Sequence, residues 1–596
     1  MKKVLAFLLA LSMCLVFVTG CTKIAGDDPA GRGAIFDVYL GKKVMNLDPA
    51  IAYTDDNAVK ILNLIFEGLF KLDENGKLKK ALVKKWEITE DPKTGEERLE
   101  ITIKDTYWSC GSAVQANDVV FAWRRILDPN FDTPAASMLY CIKGATKVKS
   151  GEISPYDPEF GLYVAKSNKF IVEFEEGADI DEFLYNLSSP ALVPLRENKV
   201  SQYPDWSRSA TDLSTNGPFR VKKFSEDPTE HITLERSKYY YLNQDVATEA
   251  KDKYVTPYQI NVRYDVPVDK EMVVTDAETD IISMYNNKEL FYVSGLTAAT
   301  AGKYGKDVQI EDEASAFMFY FNFKSEAFEE GDEGLAIRKA FSLALNRDAI
   351  ANTLGLGTKP ATGILNDKVY NTKKGTSFRE EGGSVVTSNM DEARNVLAAA
   401  GIDPSYYDTI YVLIRQDEVN DSYQSSYKSN EKLIVEAALQ AWTELGFMVE
   451  PTYATSEQFE EVYATGDYDV VGMDYQMISA HALYDLAMFS SAYSYNGSLL
   501  KGYTNETFDA LLADAFKETN LDKRAEILHN AEKALIEDGA LIPVVFNTNA
   551  YVVSSELKKV KTDFWGVQIF TKAKLKDYVQ YLPSVRDAAV VASEEE

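Results

Sequence analysis

Residues 430–475 read NEKLIVEAALQAWTELGFMVEPTYATSEQFEEVYATGDYDVVGMDY, and their hydrophobic period switches between helical and strand-like along the stretch. Glu431 to Leu445 repeats apolar residues at helical spacing and stops at Gly446, after which Phe447 to Tyr453 reads as a strand. Ser456 is placed to cap a second helix through Tyr463. After the Gly466-Asp467 turn, Tyr468 to Tyr475 reads as a second strand. Helix and strand alternating at this interval predict parallel βαβ units, with ligands near the carboxyl ends of the strands.

The same periodicity extends outward. It predicts helices over Asp56–Phe66 (N-cap Thr54 or Asp55), Leu335–Thr353, Asp391–Ala400, Glu506–Thr519 and Asp522–Asp538, and a half-buried strand over Arg98–Lys104. The chain is α/β, with no internal repeat and an acidic tail at residues 593–596. Its 596 residues carry a net charge of −29, opposite in sign to the basic footprint that nucleic-acid binding needs. A hydrophobic share of 45% is that of a globular chain, long enough for several domains or one large bilobed body.

The first twenty residues read as an export leader. Lys2 and Lys3 precede an apolar run from Val4 to Val18, shorter than the roughly 20 residues a spanning helix needs. It ends in Val18-Thr19-Gly20-Cys21, which looks like a bacterial lipobox in which Cys21 becomes the lipidated N-terminus. Residues 21–33 are polar and rich in small residues, suited to a flexible tether. The mature body is then expected outside the cytoplasmic membrane, held to it by the lipid. Cys110 and Cys141 remain in a disulfide-permissive compartment, either bridged or free.

Catalytic signatures are absent from the sequence. His231, His481 and His529 are isolated, and neither H-E-x-x-H nor G-x-S-x-G occurs. Gly355-Leu356-Gly357-Thr358-Lys359 lacks the spacing of a phosphate loop. No catalytic residue, metal or cofactor is expected, and a binding protein is favoured over a surface hydrolase.

Several segments, in order, resemble the extracytoplasmic solute-binding proteins of oligopeptide and dipeptide ABC transporters. They are Met45 to Pro49, Asn63 to Leu69, Asp73 to Gly76, Leu82 to Trp86, Ile101 to Gly111, Ala116 to Arg125, Asn216 to Phe219, Phe321 to Arg347, and Ala540 to Pro543. Cys110 stands where that family usually has Asp. The resemblance implies a bilobed periplasmic-binding-protein-like fold of class II, or cluster C, with an extra domain inserted in the first lobe. The expected boundaries are lobe I from 34–64, 196–310 and 541–590, the inserted domain at 65–195, and lobe II at 311–540. The implied function is a monomeric receptor that encloses oligopeptides between its lobes and hands them to an ABC permease driven by ATPase subunits. A sugar, a metal complex or a signalling peptide remain alternative cargoes.

The resemblance also implies site residues. Tyr53, Thr54 and Asp55 look like the first-lobe strip that pairs with ligand backbone. Matching the family's Asp-Tyr pair selects Asp474 and Tyr475 for capture of the ligand amine. Counting from Tyr468-Asp469 instead puts Tyr475 at the aromatic position and Ile478 at the acid position. Asp474 reads equally well as a strand-end residue.

Overall fold

The computed structural model describes residues 32–582 and 585, apart from 42–43, 93, 132, 225–229, 241, 243–252, 265–276, 371–375, 416–429, 492–498 and 501. The leader, Cys21 and the acidic tail lie outside the described residues. Among these residues no helix is long and apolar enough to cross a membrane.

The βαβ stretch is present, with a strand that the periodicity did not predict. Ile410–Arg415 lies between Val449–Ala454 and Val470–Gln476 and pairs parallel with both. Its Val412, Leu413 and Ile414 are all buried, so it lacks the alternation that marks a half-exposed strand. Asn430–Glu444 and Ser456–Thr465 are the crossover helices. Trp442 on the first of them stacks on Phe341 at 4.5 Å between centroids and donates to its carbonyl at 3.0 Å. Thr455, not Ser456, caps the second helix, in a reciprocal box with Gln458. The helix expected over Leu335–Thr353 is two helices, Asp332–Ala344 and Arg347–Leu354. Asn346 caps the second, and buried Arg347 donates to the Pro543 carbonyl at 2.7 Å, which fixes the break.

These strands belong to one mixed sheet that runs through both lobes. From the Val449–Ala454 edge it continues through Val308–Phe321, Leu541–Val553, Leu290–Val293, Ile35–Tyr39, Gln259–Arg263 and Ile232–Arg236 to Phe219–Lys223. The two long antiparallel strands at its centre serve both halves. Val308 to Asp312 pairs with Thr548 to Val552, and Ala316 to Tyr320 pairs with Leu541 to Phe546. Their register shifts between Asp312 and Ala316, so the ladder is interrupted where it passes from one half to the other.

Residues 83–173 contain a separate four-stranded antiparallel sheet, with Glu97–Ile103 at the predicted strand position. It packs on the Ala116–Ile126 helix, whose Trp123 meets Phe170 and Phe183 edge-on. Arg125, paired with buried Asp48, is one of the contacts that tie this region to the rest. Outside it, Asn216 brackets Glu67 by accepting from its N–H at 3.1 Å and donating to its carbonyl at 3.0 Å. Gly217 beside it is required by close approach, because a Cβ there would stand 2.5 Å from the carbonyl carbon of Ile65.

Candidate ligand-binding site

The first-lobe strip is held by capped turns. Asp48 caps the short Pro49–Ala52 helix, and Thr133 Oγ1 donates to the Ala50 carbonyl at 2.5 Å. Asp55 caps Asp56–Ile65 by accepting from Asn57 and Ala58 N–H at 2.8 and 3.0 Å. Thr54 is exposed and donates to the Ile51 carbonyl. Tyr53 is buried, and its hydroxyl makes no well-aligned hydrogen bond, with Thr133 beside it. Burial and the charge of Asp485 push that hydroxyl well above its ordinary pKa against the pull of Thr133, which places Tyr53 close to the Asp485 carboxyl.

Asp485 is the residue that sequence reasoning missed. It sits on the Ala482–Ala487 helix and is 0% exposed. The Ile478 N–H donates to its Oδ1 at 2.6 Å, and the Tyr475 hydroxyl donates to the same oxygen at 3.1 Å. Oδ2 has no partner. Burial without a cation pushes the carboxyl up to about 8, against the pull of its donors. The hydroxyl of buried Tyr320, near enough to raise the Tyr475 pKa, is also unpartnered. Folded chains satisfy nearly all such groups, so buried orphans from both lobes mark a place built to receive polar groups. Tyr53 and Tyr475 are thus brought together, at an acid that neither register of the motif selected. The available signal was an acid inside the apolar run Ala482 to Phe489.

Burial, Tyr463 and the charge of Asp474 raise the pKa of the Tyr320 hydroxyl, so Asp474 stands near this group. Asp474 is exposed on Val470–Gln476 and accepts from Asn547 at 2.7 Å, at the junction of the crossing strands. Glu313, at the interruption of Val308–Phe321, is half-buried and held well above the usual carboxylate range by burial and by Asp56, with Lys60 opposing and Asp474 adding to the rise. This second acidic group therefore faces Lys60, whereas Asp485 has no such counter-charge.

The family model for bacterial extracellular solute-binding proteins, family 5 (middle), matches residues 77–497. The chain belongs to this family. The dipeptide-binding protein DppE of Bacillus subtilis (strain 168) is 25% identical over 579 residues, covering 94% of this chain and 96% of that one. Among solved structures, peptide-bound OppA of Listeria monocytogenes superposes with a TM-score of 0.73 at 21% identity, over 91% of this chain and 99% of its own. The murein tripeptide binding protein MppA of Escherichia coli gives 0.74 at 19% identity, over 91% of this chain and 98% of that one. The unliganded open form of MppA gives only 0.55 at 18% identity, over 91% and 97%.

The two cysteines are not bridged. Cys110 is an exposed thiol 3.1 Å from Arg196 Nη1, and Cys141 is buried with its thiol pKa pushed far up by desolvation. The hydroxyl of Ser112 and the Arg196 guanidinium favour the Cys110 thiolate over the opposing burial, and its pKa is lowered.

Proposed function

We propose that this chain is an extracytoplasmic receptor that closes on oligopeptides and delivers them to an ABC importer, performing no chemistry on them. The observation that carries the reading is Asp485 with its unpartnered oxygen beside Tyr53, where the two lobes meet. A peptide α-amine is a cation at neutral pH. Placed against Oδ2, it supplies the missing counter-charge and turns a costly buried acid into a paired one. Asp485 then takes the role that the motif assigned to Asp474, while Tyr53 to Asp55 lies along the peptide backbone. The family relatives support the peptide class, since DppE is named for dipeptides and the Listeria structure contains a peptide. Cys21 carries the lipid that keeps the receptor, a monomer, at the outer face of the cell membrane beside its permease and ATPase subunits.

The test uses ligand-stripped protein and thermal unfolding with trialanine and with N-acetyl-trialanine. A ligand that binds only the folded form stabilises it by about 2.7 kcal/mol at a hundredfold excess over Kd. Trialanine is expected to do so. Acetylation removes the amine charge and is expected to weaken binding by about 2–5 kcal/mol. Equal binding of both peptides would remove Asp485 from this role. Incorporation of labelled fatty acid that is lost in Cys21→Ala tests the anchor.

A further inference from the structure

The lobes also meet at a second buried cluster that the proposed ligand site does not use. The Ile180–Asn186 helix supplies Glu182 and, at its N-cap, Asp179. Opposite stand Arg524, from the Leu521–Glu537 helix, and His481, which caps Ala482–Ala487. Arg524 lies 3.1 Å from Asp179 and 3.3 Å from Glu182, and His481 Nδ1 lies 3.2 Å from the other oxygen of Glu182. Ser479 donates to Asn186 at 2.7 Å alongside. Among the described residues these sides meet through side chains, with no strand pairing between them.

The charges do not balance. Two carboxylates face one permanent cation; Asp179 is 27% exposed and keeps contact with water, whereas Glu182 is almost closed to it. The remaining groups around Glu182 are Cys141 and Tyr484, which burial keeps protonated, and Tyr185 and Tyr370, whose rings lie 5.3 and 6.3 Å from His481. His481 is thus the neighbour that can share a proton with Glu182 near neutral pH. Whether that proton sits on the carboxyl or on the imidazole, the cluster becomes neutral.

We propose that closing the lobes takes up one proton, held between Glu182 and His481, so that this cluster is a proton-gated clasp on the closed form. Burial pushes Glu182 up to about 7, with Arg524 opposing and Asp179 assisting. With the lobes apart, the carboxyl returns to its ordinary range. The closed form therefore holds the proton at a pH where the open form has released it, and closure strengthens as pH falls from 8 towards 6. A difference of about half a pKa unit corresponds to roughly a threefold change in the ratio of open to closed molecules. This holds whatever solute the cleft encloses.

Solution scattering of the ligand-stripped full chain between pH 5.5 and 8.5 tests the clasp. The ratio of open to closed molecules is expected to rise about two- to threefold from pH 6 to pH 8 in the native chain. The rise is expected to be lost in Glu182→Gln, because His481 beside a neutral amide gains no carboxylate partner on closure. His481→Asn, which removes the second titrating group, is expected to shift the window to lower pH and serves as the independent variant. A native ratio that is flat with pH, or a native slope that survives in Glu182→Gln, overturns the proposal.

Discussion

The Leu521–Glu537 helix carries two buried charges of opposite fate. Glu532 turns towards Arg379, and together they spend nearly all of their hydrogen-bonding capacity. Glu532 accepts from both the Arg379 guanidinium and the Ile364 N–H, and Arg379 also donates to the carbonyls of Leu365, Thr362 and Gly383 at 3.0, 3.2 and 2.6 Å. Gly363 leaves the room, since a Cβ there would stand within 2.3 Å of the guanidinium. Two helical turns earlier, Arg524 faces Glu182 across the lobe junction at ion-pair distance. Its Nε has no partner, and neither Glu182 oxygen makes a well-aligned hydrogen bond. Asp485, also at the junction, is short of a partner in the same way. The difference separates permanent structure from contacts that must part. Of these groups, the saturated pair Glu532 and Arg379 is permanent structure, and the under-satisfied Glu182, Arg524 and Asp485 stand where water can return if the two sides part.

The comparison can be broken most directly at its saturated end. Arg379→Ala leaves the Glu532 carboxylate buried and unpaired, and a loss of about 3–5 kcal/mol is expected in urea unfolding. A loss below 1 kcal/mol would show that saturation adds little.

Next in size is a pH effect at Asp485. Its folded pKa, about 8, lies above the unfolded value near 3.8. The folded form therefore keeps a proton that the unfolded chain has lost, and native stability falls between pH 4 and 8. The slope from this residue is about 1.4 kcal/mol per pH unit, and Asp485→Asn is expected to remove it. Urea midpoints at pH 5 and pH 7.5 compare the two proteins. Equal slopes would mean that the carboxyl is already paired within the chain.

The smallest effect is expected at Glu182. Glu182→Gln should change unfolding stability by less than about 1 kcal/mol, because Arg524 retains Asp179 and the lobes can part to hydrate it. A loss as large as that of Arg379→Ala would make the junction a fixed interface and erase the distinction.

The periodic parts of the fold were legible in the sequence. The helices and strands of residues 430–475 stand where amphipathic spacing put them, and so does the strand at Glu97–Ile103. Ile410–Arg415 was hidden because burial on both faces removes the alternation that reveals a strand. The break at Asn346 was hidden because the hydrophobic pattern continues through it, and a tertiary anchor, Arg347 on Pro543, decides it. The family resemblance named Tyr53 and Tyr475, and the fold brings both near Asp485. Asp485 itself was not legible in the sequence, since its role comes from the Ile478 N–H and the Tyr475 hydroxyl, which only the folded chain brings to it.

The two long strands shared by both halves of the sheet have a mechanical consequence. A hydrogen-bonded ribbon two strands wide barely stretches, yet it yields readily in torsion, most of all where its ladder is interrupted between Asp312 and Ala316. Motion of one half against the other is thereby reduced to nearly one degree of freedom, a rotation about a fixed axis. If the site is the one proposed, Tyr53 and Asp485 return to the same mutual position each time the halves come together.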